Sequence, residues 1–278
     1  MGFGCNAAGV IGCRIIDSPR ERLIAILTNN FAPCNGRFPT LISILTMFFL
    51  GSAAGLTQSL QSALLLTLAI LLGLGMTFLV SRLLSATVLK GVPSSFTLEL
   101  PPYRRPQLGK VLIRSVFDRT LFVLGRAITV AAPAGILLWV MANVGIQGQS
   151  LLAWASGFLD PLGRFMGLDG VILIAFILGF PANEIVIPII IMAYMANGSL
   201  IEMSSLSAMK SLFLAQGWTL TTAVCTLIFV LFHWPCSTTC LTVYKETRSI
   251  KWTVAAILIP TVCGVVCCSL AALILRLF

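Results

Sequence analysis

Four reactive side chains stand where this chain should break its helices: Cys5, Cys34, Cys236 and Glu184. Thiolates suit soft or borderline cations, and a carboxylate with amide oxygens suits harder ones. Cys34 and Cys236 each follow a proline, and the interrupted helices around Pro33 and Pro235 would free further carbonyl ligands. Cys5 lies in Gly2-Phe3-Gly4-Cys5-Asn6, and Glu184 directly follows Gly179-Phe180-Pro181-Ala182-Asn183. A Gly-Phe-x-x-Asn segment thus occurs twice. Asn6 and Asn183 either offer an oxygen to an ion or hold a turn by bonding its exposed backbone, and the second role is preferred.

Eight of the nine acids fall in segments read as loops, and Glu184 is the exception. A carboxylate at that depth is costly and marks an ion path, unless it pairs with a basic group such as Arg37 or Arg126. His233, the only histidine, is two residues before Pro235 and reads as a ligand, a pH-sensitive gate or, preferentially, a hydrogen-bonded structural residue. Cys13, Cys225 and Cys240 read as packing residues, and Cys263, Cys267 and Cys268 share one helix. No G-x-x-x-x-G-K-[ST] loop, Ser-His-Asp grouping or H-E-x-x-H helix occurs, so no catalysis or GTP site is expected in this chain.

The elements that must position these groups are set by lipid. Of 278 residues, 58% are hydrophobic and 10% charged, with a mean hydropathy of +1.01. The fold class expected is an all-α integral membrane protein. Apolar runs fall at 40–57, 59–81, 120–144, 171–195, 219–244 and 252–278, with a weaker one at 23–36. The net charge of +9 does not indicate nucleic acid, because seven of the eighteen Lys and Arg residues gather between Arg82 and Arg119 with few aromatics among them. That segment belongs in the cytoplasm.

Charge parity then decides which runs cross. If 171–195 were a full crossing, Lys245, Arg248 and Lys251 would lie outside, against the positive-inside rule. A re-entrant hairpin, entering from outside and turning at Gly179 to Asn183, removes the conflict. Its nine-residue arm covers about half the hydrocarbon core at ~1.5 Å per residue. The same parity requires 23–57 to be one crossing broken between Pro33-Cys34 and Pro39. The expected organisation is a polytopic bundle of two inverted gate repeats with re-entrant hairpins and broken helices. Residues 1–57 form a partial first repeat, 58–84 a transmembrane helix, 85–119 a cytoplasmic basic loop, 120–144 a second helix, 171–245 the second repeat and 252–278 the last helix. Inverted repeats of this kind place their substrate where broken helices meet near the midplane.

These residues resemble the membrane part of the ferrous iron transport protein B family. Pro93 to Pro106 looks like that family's Pro-x-x-Phe…Glu-Leu-Pro-Pro-Tyr-Arg-x-Pro signature, Gly2 to Asn6 and Pro33 to Pro39 are similar to its first gate, and Gly179 to Glu184 with Trp234-Pro235-Cys236 to its second. This chain has Ala7-Ala8-Gly9 where many relatives have Val-Pro-Ala, and Asn183 where many have lysine. The resemblance implies Fe²⁺ as transported substrate and the bacterial inner membrane as location. It also implies a G domain or small accessory iron-transport protein as partner, with a homo-oligomer compatible. It assigns Cys5, Cys34 and Cys236 to the ion path, with Glu184 as second-gate acid. On this reading the chain is a C-terminal portion whose GTP-binding domain lies outside the sequence. Two alternatives remain: a gate-type carrier of nucleosides or another organic solute, and a non-transporting remnant or scaffold.

Topology is testable by cysteine labelling. Cysteines introduced at Ile16 and Ser205 should react with an impermeant maleimide from opposite sides of the membrane; labelling from one side would exclude the inverted repeat.

Overall fold

The computed structural model describes residues 2–49, 56–91, 109, 113, 122–146, 149–195 and 205–277. The chain is an all-α membrane protein, with one two-residue antiparallel ladder pairing β1 (Gly145–Ile146) with β2 (Gln149–Ser150) among those residues. The signature at Pro93 to Pro106 and nearly all of the basic loop lie outside the described residues.

The first unit opens at the Gly2 to Asn6 turn and continues through α1 (Asn6–Gly12). It then passes a polar corner into α2 (Pro19–Thr28), whose Ser18 accepts from the Glu21 N–H and whose Pro19 occupies the first helical position. α2 stops at Thr28, and two 3-10 turns, Asn29–Phe31 and Asn35–Arg37, lead into α3 (Phe38–Phe48). The break closes one residue before the expected Pro39. That proline sits in the first turn of α3, where its missing N–H costs nothing. α4 (Leu56–Ala86) returns, longer than its apolar run at both ends.

After α5 (Phe122–Asn143), residues 145–170, expected as a loop, contain helix α6 (Leu151–Phe165), which meets α7 (Gly170–Leu178) at 110°. Gly157, Asp160 and Pro161 divide its apolar residues, which is why no continuous run announces it. α7 descends to the Gly179 to Asn183 turn, a 3-10 turn follows at Asn183–Ile185, and α8 (Val186–Met195) climbs back. The chain therefore folds back on itself at the expected Gly179 to Asn183 turn, with a first arm of nine residues. α9 (Leu206–Ala215) leads to α10 (Leu220–Phe232), the break at His233 to Cys236, α11 (Ser237–Thr247) and α12 (Ile250–Leu277).

Hydrogen bonds and ring contacts at the two ends fix the directions. At one end Arg14 pairs with Glu246 at 2.6 Å, and Arg20 bonds Ser85 and the Leu89 carbonyl. At the other, Tyr194 donates to Asp169, Trp218 donates to Tyr194 at 2.7 Å, Phe48 stacks on Trp218, and Arg276 donates to the Arg164 carbonyl at 2.6 Å. The α2–α3 pair thus runs from the Arg14 end to the Asp169 end, and α10–α11 runs the opposite way.

Burial separates centre from rim. In the most apolar window of each long element, 11% of α4 and 22% of α12 is buried, against 61% of Leu220–Thr247. The broken helix therefore runs through the interior, while Leu64, Leu68, Leu258 and Val262 face outward as lipid requires.

Each long helix carries a glycine where it backs a break. A Cβ on Gly73 of α4 would lie 2.5 Å from the Phe31 carbonyl oxygen, and one on Gly264 of α12 would lie 2.9 Å from that of Phe232. Close approach of this kind lets the helix cover backbone that lipid cannot solvate. Gly73→Ala and Gly264→Ala should each destabilise by about 1–3 kcal/mol through overpacking. Gly75→Ala, in open space two residues away, should be neutral or stabilising by up to ~1 kcal/mol. Thermal unfolding of the three variants in detergent checks the contrast.

Candidate ion path at the crossing of two broken helices

Both breaks leave carbonyls and N–H groups without helical partners, and the crossing between them must supply new ones. The two units use the same first device. The N–H of the residue after each Pro-Cys donates to a carbonyl of its own Gly-Phe-x-x-Asn turn: Asn35 to Gly4 at 3.3 Å, and Ser237 to Phe180 at 2.9 Å. Each thiol is thereby held beside a hairpin tip.

The second device is shared. Arg37, fully buried, donates through Nη1 to the carbonyls of Asn30 (2.8 Å) and Leu231 (2.9 Å), and through Nη2 to Asn30 Oδ1 (3.1 Å) and the carbonyls of His233 (3.2 Å) and Trp234 (3.5 Å). Asn30 Nδ2 also reaches the His233 carbonyl at 2.8 Å. A single guanidinium therefore serves the ends of α2 and α10 together.

The two tip asparagines join this network. Asn6 and Asn30 amides meet at 3.1 Å. Asn30 Oδ1 accepts from Arg37 and Asn30 Nδ2 is spent on His233, so donation by Asn6 Nδ2 matches its neighbour; turned over, it would instead reach the carbonyls of Ala32 and Gly2. Asn183 Oδ1 lies 3.3 Å from His233 Nε2, and its Nδ2 lies 4.0 Å from Cys34 Sγ. His233 Nδ1 faces the carbonyls of Phe229 and Val230, so it is the hydrogen-bonded structural histidine that the sequence favours.

Of the candidate residues, Cys34 and Asn183 are buried and in contact, and Cys236 is half-buried with its thiol 3.3 Å from Thr239 Oγ1. Cys5 is exposed at the first tip. Glu184 is exposed at the second tip, where the Asn183–Ile185 turn packs on the Asn35–Arg37 turn, and its carboxylate lies over Gly36. Arg37 is not its partner, because the carbonyl ends of two helices hold that guanidinium. The Arg126 side chain lies outside the described residues. Among the described residues no three of His, Cys, Asp and Glu converge into one coordination shell.

Asn30 went unrecognised in the sequence, although a polar residue three places before Pro33 in an apolar run was a visible signal. Toward the Asp169 end a cavity of about 620 Å³ opens, lined by Asp160, Arg164, Asp169, Tyr194, Gln216 and Trp218 among others. Burial raises the Asp169 carboxyl above its ordinary range, and bonds from Tyr194 and the Ile172 N–H oppose that rise.

Residues 66–118 match the family described as ferrous iron transport protein B C terminus, and residues 124–250 match the gate family described as nucleoside recognition. The Fe(2+) transporter FeoB of Staphylococcus aureus (strain MSSA476) is 30% identical over 272 residues, an alignment covering 94% of this chain and 38% of that protein. The FeoB of Synechocystis sp. is 29% identical, with 94% and 40% covered, and that of Methanocaldococcus jannaschii 28%, with 92% and 38%. The chain thus spans well under half the length of these relatives. No solved structure matches it.

Asn30→Leu should leave Arg37, Asn6 and the His233 carbonyl short of partners and destabilise by roughly 2–4 kcal/mol. Asn29→Ala, which removes one bond to the Asn6 carbonyl, should cost about 1 kcal/mol. Melting temperatures in one detergent rank the two.

Proposed function

We propose that this chain, which carries the C-terminal and gate regions of the ferrous iron transport protein B family, forms the membrane path through which ferrous iron crosses the bacterial cytoplasmic membrane. The observation that carries this reading is the placing of Cys34 and Cys236, each after the proline of one of two oppositely directed breaks. Ferrous iron accepts thiolate, carboxylate and amide-oxygen ligands, and a path built of successive weak sites lets it enter and leave.

Each residue has a stated part. Glu184, on the hairpin that enters from the Asp169 end, meets the cation first. Cys34 and Cys236, with Asn183, take it at the crossing, and Cys5, heading the helix that leaves toward the Arg14 end, receives it last. Asn6 holds the first tip against the break. The Arg14 end and the basic segment 85–119 face the cytoplasm, as the charge rule requires. The protein is a permease here and not an enzyme; GTP binding and hydrolysis belong to a G domain that acts on this path, and an accessory protein or a second copy completes the assembly.

The complete transporter in liposomes tests this. Replacement of Cys34 or Cys236 by Ser should lower Fe²⁺ influx on the order of tenfold, with smaller losses for Cys5→Ser and Glu184→Gln. Unchanged flux in all four would refute the metal path, and nucleoside uptake by the same vesicles would favour the organic-solute reading.

A further inference from the structure

The oxygens around Arg37 are all uncharged: four backbone carbonyls, from Asn30, Leu231, His233 and Trp234, and the Asn30 side-chain oxygen. Two come from Asn30, in the 3-10 turn that extends α2, and three from Leu231 in the last turn of α10 and from His233 and Trp234 just beyond it. Helix C-termini each carry roughly half a negative charge, so two of them aimed at one point offset about one positive charge. Among the described residues no carboxylate lies within ion-pair distance of Arg37. Such a set of neutral oxygens at unwound helix ends is what holds alkali-metal cations in other membrane proteins, whereas transition metals are held by thiolate, imidazole or carboxylate. Here the position is already filled from within the chain.

We infer that Arg37 is a tethered cation seated in a carbonyl cradle built by both broken helices, where it keeps alkali-metal ions out of the crossing. Two further observations support a cradle shaped for the free head group. Arg37 Nε has no partner, so the guanidinium is held by its terminal nitrogens alone. The corresponding position three residues after the second Pro-Cys is Thr239, engaged with Cys236, so the second unit supplies no cation of its own and one charge serves both ends. Only one consequence rests on the metal-path reading above: with the cradle occupied and positive, a divalent ion is confined to the side of the crossing that carries Cys34, Asn183 and Cys236.

The test uses the complete transporter with Arg37→Ala and Arg37→Met. In detergent, Arg37→Ala should melt several degrees below the wild type, and low-millimolar guanidinium should recover much of the loss while the wild type gains nothing and NaCl of equal ionic strength has a smaller effect. In vesicles, Arg37→Ala should admit Rb⁺ or Tl⁺ roughly tenfold faster than the wild type, and guanidinium should suppress the leak. If Arg37→Ala fails to accumulate, recovery of folded protein from cells supplied with guanidinium supports the cradle. A wild-type melting temperature and no cation leak in Arg37→Met, or no guanidinium effect on a folded Arg37→Ala, overturns it. None of these arms reads iron flux, so a failure of the metal path and a failure of the cradle give different results.

Discussion

A guanidinium can stay charged in the interior of a membrane protein only where enough oxygen is turned toward it, and Arg37 obtains that oxygen by interrupting two helices at the same point. The dependence is mutual. Unsatisfied carbonyls at the ends of α2 and α10 would each cost several kcal/mol in hydrocarbon, on the order estimated for bare polar groups. Charge and breaks are therefore tolerable together and untenable apart. The glycines at positions 73 and 264, the tip asparagines and the aromatic pair Phe31 with Phe232 all serve to seal that arrangement from lipid.

The repeat is deeper in the backbone than in the sequence. Gly-Phe-x-x-Asn and Pro-Cys recur recognisably, and charge parity with the interruption at Gly179 to Asn183 led to the expectation of a turn in the second unit. What recurs in space also includes a hydrogen bond from the residue after each cysteine to its own tip, and a glycine on the following long helix. The hydrogen bonds involve residue pairs of different types, Asn35 and Ser237 or Gly4 and Phe180, because only the peptide group takes part. Side-chain identity could not announce them.

Other parts were illegible for specific reasons. Arg37 was one of two basic groups, with Arg126, that could have paired with Glu184 as the alternative to an ion path, since opposite charges near apolar runs invite that reading. Helix termini satisfied the arginine instead, and such partial charges have no letter in a sequence. Helix α6 escaped notice because its apolar residues are spaced by Gly157, Asp160 and Pro161 and so form no run. The polar network was half visible: Asn6, Asn183 and His233 stood out, while Asn30 gained its importance only from the three partners that converge on it.

The clasp between Arg14 and Glu246 joins the two units at the end away from the cavity. It fastens the helix after the first tip to the final half of the second broken helix, and α1 packs along α11 for the same reason. The parts that hold each other are thus drawn from different repeats. The first unit alone has neither the clasp nor, at the crossing, the Leu231, His233 and Trp234 carbonyls that Arg37 uses. The fold is thus closed by contacts that neither unit can make within itself, one at the Arg14 end and one at the crossing.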